Sequence, residues 1–515
     1  MEPVPQHTRT ADVSFDGGDL DCGNGLLLLI RRHIDPLDRG GLLEIRSTEI
    51  SVDEDLPAWC RMTSNELVSW TKFGKQRSFI VCKGKLAERK AAQAASIVTT
   101  GGTGGSGGIG AIKAVVIPAT LPAATAAPAI APLSVMSIGS WPRPRWMAQA
   151  IHEHMEGKLN EALFQATADD AVRLAVDAQT RARVDVMTDG EQRRDSYASF
   201  VGGILDNCQL IPLTDLLPLV EDPEEFEREL RALDVPAGDV RHPVVFGPLG
   251  RSAPIAVHEA TFLKTITTKP IKIAIPGPYL LTRTMWMDCI VDRAYQSREH
   301  LAVDIIRVLR EEIAHLLAEG VAMVQLDEPV LSEVVFSLPK SVSASGRSFM
   351  CGALSDKHDA PIELAFARDL INAVTAGFPR ERIALHMCRG NWTPDESAAL
   401  AGDYTPLVPT LAQLNVGTLL LELCTPRAGE MEILKAIPDD VRIGVGVVNQ
   451  KHSRIETVDE VVASGERAIN LFGRERVLFC PDCGFATFAD NPVTSDKIAE
   501  AKMKVMAEAV ARLRA

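Results

Sequence analysis

The chain has 515 residues, 46% hydrophobic and 24% charged, which is room for two or three domains and an ordinary balance for a globular protein. Its net charge of -14 excludes the basic character of a general nucleic-acid binder, and no basic run or aromatic-plus-basic stripe offsets it. Residues 1–9 are polar and lack the apolar stretch of a secretory signal, and prolines 118, 122, 128 and 132 break the long apolar segment 114–135. Ten cysteines are too sparse for a disulfide scaffold and, in a reducing compartment, point to metal or catalysis. The expectation is a soluble, cytoplasmic protein with neither nucleic acid nor membrane as a partner.

In chain order, residues 1–88 read as a small α+β two-layer sandwich. Residues 11–15 alternate like a strand, and 25–34 form an apolar helix ending in Arg31, Arg32 and His33. Residues 42–45 form a strand, 52–70 a broadly helical stretch broken near Pro57, and 78–82 a closing strand. Residues 89–133 form a linker, first Gly-rich and flexible at 101–110, then Ala/Pro-rich and stiffer. In residues 134–515, eight short apolar runs alternate with long helical patterns: 135–139, 184–187, 271–275, 322–326, 383–385, 418–421, 442–447 and 477–479. Eight strand–helix units predict an α/β fold, a (β/α)8 TIM barrel. A ninth run, 244–246, belongs to an inserted hairpin.

In such a barrel, chemistry gathers where strands end. Tip five carries His386-Met387-Cys388, tip six Glu422-Leu423-Cys424, and tip eight Cys480-Pro481-Asp482-Cys483-Gly484. His386 and Cys388 are two apart on an extended segment, so both face the same way. With Glu422 and Cys483 they make a chemically reasonable zinc (Zn2+) site. Cys424 and Cys480 are rival ligands, Cys480 being closer to the strand body. Two thiolates and a carboxylate outweigh Zn2+ by one charge, which suits a thiolate that must stay nucleophilic better than water activation. A free thiol is only about 3% ionised at pH 7, whereas one on a metal is deprotonated outright. Glu191 and Asp327 are candidates to bind a substrate ammonium, although strand-end carboxylates also cap helices. Arg143 and Arg145 either grip a carboxylate or sulfonate or line the rim. Lys451 or His452 could donate a proton to a leaving group.

Taken together, Ile138-Gly139-Ser140, Asp189-Gly190-Glu191, Leu326-Asp327-Glu328-Pro329, His386-Met387-Cys388, Glu422 and Pro481-Asp482-Cys483-Gly484 resemble the cobalamin-independent methionine synthase family over about residues 134–500. The resemblance implies zinc on His386, Cys388, Glu422 and Cys483, with homocysteine against Ile138, Gly139, Ser140, Glu191 and Asp327. It also implies methyl transfer from 5-methyltetrahydrofolate, or another methyl donor, to the bound thiol. The chain looks like the family's short form, without the extra N-terminal barrel of the long one. The long form's folate-stacking tryptophan falls at Thr284, with Trp286 near, and its catalytic histidine falls at Lys451, with His452 next to it. Other members of the superfamily transfer other alkyl groups, including epoxide opening with coenzyme M.

The first domain resembles the TusA sulfur-carrier family over about residues 12–84, on Leu20-Asp21-Cys22, the run from Asp53 to Cys60, and Arg77-Ser78-Phe79-Ile80-Val81. That resemblance implies a persulfide on Cys22, set at a helix N-terminus, and a sulfur-donating protein as its partner. The family's Cys-Pro-x-Pro is Cys22-Gly23-Asn24-Gly25 here. The leading expectation is a zinc-dependent thiol methyltransferase. The alternatives are a zinc alkyltransferase or lyase acting on another thiol, and a sulfur-relay protein with a structural zinc.

Overall fold

The computed structural model describes residues 7, 11–18, 20, 26–63, 65–73, 75–86, 113–155, 157–212, 241–286, 295–336, 359–390, 396, 399–489 and 492–515. It divides into two compact units, Met1–Lys113 and Ala114–Ala515. Among the described residues no helix is long and apolar enough to cross a membrane.

In the first unit, strands β1 (Val13–Asp16), β2 (Leu42–Ser47), β3 (Glu66–Phe73) and β4 (Gln76–Cys82) form one sheet in the order β1-β2-β4-β3. β1 and β2 run parallel through helix α1 (Leu26–Ile34), and the other pairings are antiparallel. Leu26, Ile30 and Ile34 of α1 and Val52, Leu56 and Cys60 of helix α2 (Val52–Met62) pack on Leu43, Ile45, Phe79 and Val81 of the sheet. The helical expectation for 52–70 fails in its second half. α2 runs through Pro57 without a break and ends at Met62, and Glu66-Leu67-Val68-Ser69-Trp70-Thr71-Lys72-Phe73 pairs with β4 as a strand. Its β-branched and aromatic residues favour a pleated surface with a partner, which a helical reading of 52–70 ignored. Cys22 lies outside the described residues.

In the second unit, six parallel strands follow one another as neighbours: β7 (Lys272–Pro276), β8 (Met323–Asp327), β9 (Ile383–Met387), β10 (Thr418–Leu421), β11 (Arg442–Gly446) and β12 (Val477–Cys480). Single parallel bridges continue the pairing. Val135 joins Phe479, Met136 joins Val186, and Met187 joins Ile271, so the 135–136 and 186–187 segments stand where the first two strands of the ring belong. This is an α/β architecture of the TIM-barrel type. Between the strands lie α3 (Arg145–Met155), α4 (Glu161–Arg181), α5 (Val257–Ile266), α6 (Pro278–Met285), α7 (Arg298–Ala318), α8 (Val330–Phe336), α9 (Ala360–Thr375), α10 (Val408–Leu411) and α11 (Val458–Phe472), and α12 (Asp496–Arg514) ends the chain. The inserted hairpin pairs β5 (Asp206–Pro212) with β6 (Arg241–Gly250) and contains 244–246.

Every residue of β7, β8, β9, β10 and β12 is buried, as expected for parallel strands covered on both faces. Alternation then sorts their side chains. Ile273, Ile275, Val324, Leu326, Ile383, Leu385, Leu419, Leu421, Val477 and Phe479 belong to the large core shared with the helices. Met136, Ile138, Val186, Met323, Ala384, Leu420, Leu478 and Cys480 form a separate apolar layer inside the ring. Counting two residues on from the inward positions Ala384 and Leu420 puts His386 and Glu422 above that layer. Residues 114–133, the Ala/Pro-rich end of the expected linker, lie on this unit: Thr125 bonds Leu317 and Ala318, Arg382 and Arg442 hold the carbonyls of Thr125 and Ile130, and Ile130 packs on the inner layer.

Candidate metal centre and substrate pocket

His386 ends β9, Cys388 follows it at the next inward position, and Cys483 sits on the turn after β12. One ligand atom from each lies within 4.8 Å of the other two, and all three residues are buried. Asp327, at the end of the neighbouring strand β8, accepts from His386 Nδ1 at 2.9 Å. Nε2 of His386 is buried without a hydrogen-bond partner. A carboxylate on one ring nitrogen with the other left open is how metal-ligating histidines are oriented.

The two thiols share a proton. The Cys483 thiol bonds the Cys388 sulfur, which holds Cys388 well below the ordinary thiol range, and the same bond and burial hold Cys483 well above it. Burial alone would lower the His386 imidazole, but the Asp327 hydrogen bond and the Cys388 sulfur raise it to about 10. Stacked excess charge of this kind is relieved when a cation replaces the protons. The donor set of one nitrogen and two sulfurs, with an orphaned nitrogen among them, therefore fits zinc.

Glu422 is placed otherwise. It is fully buried, with Oε1 accepting from Arg427 Nη2 at 2.6 Å and Oε2 from the Arg389 N–H at 3.0 Å, and it is not among the three clustered ligands. The Arg427 guanidinium pairs with the carboxylate that the sequence reading assigned to zinc. The clustered donors are thus one imidazole and two thiols, with Glu422 beside them on an arginine. The rivals stay outside the cluster too. Cys424 is raised by burial and by Asp482, and Cys480 packs in the inner apolar layer.

The cluster gives onto a pocket of about 420 Å³ lined by His386, Cys388, Cys483, Ile138, Ser140, Glu191 and Asp327, together with Tyr197, Pro329, Gly484 and Thr487. The Glu191 backbone has φ 55°, which turns its side chain inward, and its Oε2 is buried without a partner. Burial, opposed by Arg194 and reinforced by Asp327 and Asp189, pushes its carboxyl up to about 7. Gly139 makes room for this group: a Cβ there would lie 2.0 Å from Glu191 Oε1. Glu328, beside Asp327, does the capping instead. Its two oxygens take the N–H groups of Tyr279 and Leu280 at the start of α6, at 2.7 and 2.8 Å.

Arg143 is buried, donates to the Glu191 and Ala486 carbonyls at 2.7 and 3.2 Å, and does not line the pocket. It fastens the tip that carries Glu191 to the tip after β12, so it is committed to backbone and not to a ligand's acid group. Trp286 is buried in the large core beside α6, outside the pocket lining. The two proton-donor candidates part company. His452 is half-exposed and pairs with Glu396 at 3.0 Å. Lys451 is buried, and burial and Arg427 lower its ammonium, against the pull of Glu422, Cys483 and Cys388. The pocket residues Tyr197 and Thr487 escaped sequence reasoning, since both sit in loops with no strand-end signal.

A parallel α/β ring with an imidazole and two thiols at the carboxyl ends of its strands carries its reactive groups where barrel enzymes of the TIM type build their active sites. The particular family follows from comparison. A model of the cobalamin-independent synthase catalytic domain matches residues 133–211 and 234–511, and the chain belongs to that family. The chain is 27% identical over 350 residues to a methionine synthase of Sulfolobus acidocaldarius, covering 67% of this chain and 84% of the relative. It is 25% identical over 372 residues to one of Saccharolobus solfataricus, covering 72% and 92%. Among solved structures, a B12-independent methionine synthase from Shewanella sp. W3-18-1, in complex with selenomethionine, shares the fold. Its TM-score is 0.56 and its identity 22%, over 75% of this chain and 98% of that one.

The raised Glu191 carboxyl has a stability consequence. Between its unfolded value of 4.5 and its folded value of about 7, the folded chain keeps a proton that the unfolded chain releases. Stability is therefore lost as pH rises through that window. Glu191→Gln is expected to remove this loss and to gain on the order of 1–3 kcal/mol at pH 8 over the parent. Denaturant melts of both proteins at pH 5 and pH 8 measure it, and parallel pH profiles would contradict the assignment.

Proposed function

We propose that the second unit is a zinc-dependent S-methyltransferase acting on an amino-acid thiol of the homocysteine type. One observation carries this reading: the His386, Cys388 and Cys483 cluster shares a single pocket wall with the two carboxylates of Glu191 and Asp327. The family and the names of the relatives support it. His386 Nε2 and the sulfurs of Cys388 and Cys483 would hold the ion, with Glu422 near but engaged by Arg427. When bound, zinc would supply Lewis acidity that keeps a substrate thiol ionised and nucleophilic at neutral pH.

The chain's own groups do the rest. Glu191 and Asp327 present negative charge to the substrate ammonium, fixing the amino acid with its sulfur toward the cluster. Ile138 offers an apolar wall to the methylene chain, and burial excludes water that would compete for the methyl group. The methyl carbon bonds to sulfur as its bond to the donor breaks. The donor departs with the electron pair and needs a proton, for which buried Lys451, within Coulombic reach of both cysteines, is better placed than outward-facing His452. The donor is 5-methyltetrahydrofolate or another methyl carrier. The coenzyme M alternative loses its anchor, because Arg143 is spent on backbone carbonyls.

X-ray absorption at zinc is expected to show two sulfur ligands alone and three with homocysteine. An unchanged sulfur count would overturn the reading, and Cys483→Ser should lower zinc stoichiometry. Gly139→Ala, whose new methyl collides with Glu191, is expected to raise KM for homocysteine by about tenfold or more while zinc content holds. Lys451→Met should lower kcat by ~10²-fold or more, and His452→Ala should leave it within a few-fold, in steady-state assays with the same donor.

A further inference from the structure

The inside of the ring below the pocket holds one group the chemistry above does not use. Lys272, on β7, is fully buried at the level of the inner layer. Its Nζ donates to the Ile138 carbonyl at 2.7 Å and to Gln325 Oε1 at 2.5 Å. Gln325, on β8, is fully buried too, and its Nε2 donates to Asp327 Oδ1 at 2.7 Å. That same oxygen accepts from His386 Nδ1 at 2.9 Å.

A lysine here is costly. The layer it borders is Met136, Ile138, Val186, Met323, Ala384, Leu420, Leu478 and Cys480. Another apolar side chain would fill the space without stripping water from an ammonium. What the lysine adds is direction. An ammonium can only donate, so it fixes the Gln325 amide with oxygen down and nitrogen up. The upward N–H and the imidazole then meet one carboxylate oxygen, which can only accept when ionised. His386 therefore keeps a proton on Nδ1, and the nitrogen that can give its proton up to a metal is Nε2, which has no hydrogen-bond partner and stands among the clustered ligands. The lysine also grips the carbonyl of Ile138, a pocket residue on the segment that follows the isolated bridges at Val135 and Met136.

We propose that Lys272 and Gln325 are positioning residues: a buried hydrogen-bonded chain, Lys272–Gln325–Asp327, orients His386 so that Nε2 is the metal-binding atom, and seats Ile138 at the pocket wall. The inference rests on the metal reading above but not on the identity of substrate or donor.

Gln325→Glu is the decisive variant. It keeps side-chain volume and still accepts from Lys272, so a merely structural need to satisfy the lysine is met. It has no N–H for Asp327. Lys272→Met removes the source of the polarity while keeping the stem. Zinc affinity is read by competition with a chelator on the full chain, with thermal melting to check folding. Nitrogen-15 NMR of histidine-labelled, zinc-loaded protein reads which ring nitrogen of His386 keeps its proton. Both variants are expected to fold, to lose ~10–100-fold in zinc affinity, and to lose the single Nδ1–H signal. Gln325→Glu binding zinc like the parent, with Nδ1–H intact, would overturn the proposal even if Lys272→Met fails to fold. A parent chain that binds zinc but methylates no thiol would sink the functional reading and leave this one standing. A parent that binds no zinc would sink both.

Discussion

The hydrogen bond from His386 Nδ1 to the Asp327 carboxylate is the contact on which the site depends. It joins the ends of two adjacent parallel strands whose register sets Asp327 directly opposite His386. Because the bond takes one ring nitrogen, the other is left for the cluster with Cys388 and Cys483. Because it takes one carboxylate oxygen, Asp327 serves two masters, the imidazole and the pocket. Glu328, one residue further on, points the other way and holds the start of α6, so the same dipeptide builds the floor of the pocket and its surrounding frame.

The electrostatic pattern around that bond is one of negative charge concentrated in a buried mouth and held in check by particular cations. Arg427 and the Arg389 N–H hold Glu422, Arg194 pairs with Glu259 beneath the Glu191 tip, and Lys272 stands under Asp327. Glu191 has a buried carboxylate oxygen with no hydrogen-bond partner, and burial raises its carboxyl to about 7 against the pull of Arg194 and Arg143. A substrate ammonium would supply what the protein withholds there. On the proposed reading, preference for an amine would come from this unpartnered carboxyl more than from shape.

Much of this was legible in the sequence because parallel barrels translate spacing into geometry. The two-residue step from His386 to Cys388 places both on the inner face, and the turn Pro481-Asp482-Cys483-Gly484 returns a third ligand to them. The ninth apolar run, 244–246, was equally visible as part of an inserted hairpin. What was not legible depended on contacts between distant residues. Arg143 looked like a ligand clamp, but its partners are carbonyls at 191 and 486. Nothing in the segment of Glu422 announces its pairing with Arg427. Lys272 and Gln325 sit in strands where a lone polar residue reads as solvent-facing. In the first unit, 66–73 was taken for helix because its pairing partner β4 decides its state, and local pattern does not carry that information.

The cluster also ties together segments far apart in the chain. His386 lies in β9 and Cys388 just after it, whereas Cys483 lies beyond β12, the strand that meets Val135 where the ring closes on itself. The three residues meet only when the units from β9 to β12 have docked side by side. A zinc ion held as proposed would bridge the end of β9 to the turn after β12, so its binding energy would fall on the stretch of ring between them. Seen kinetically, such an ion would act as a latch, and the rate of metal loss would report how often those strands part.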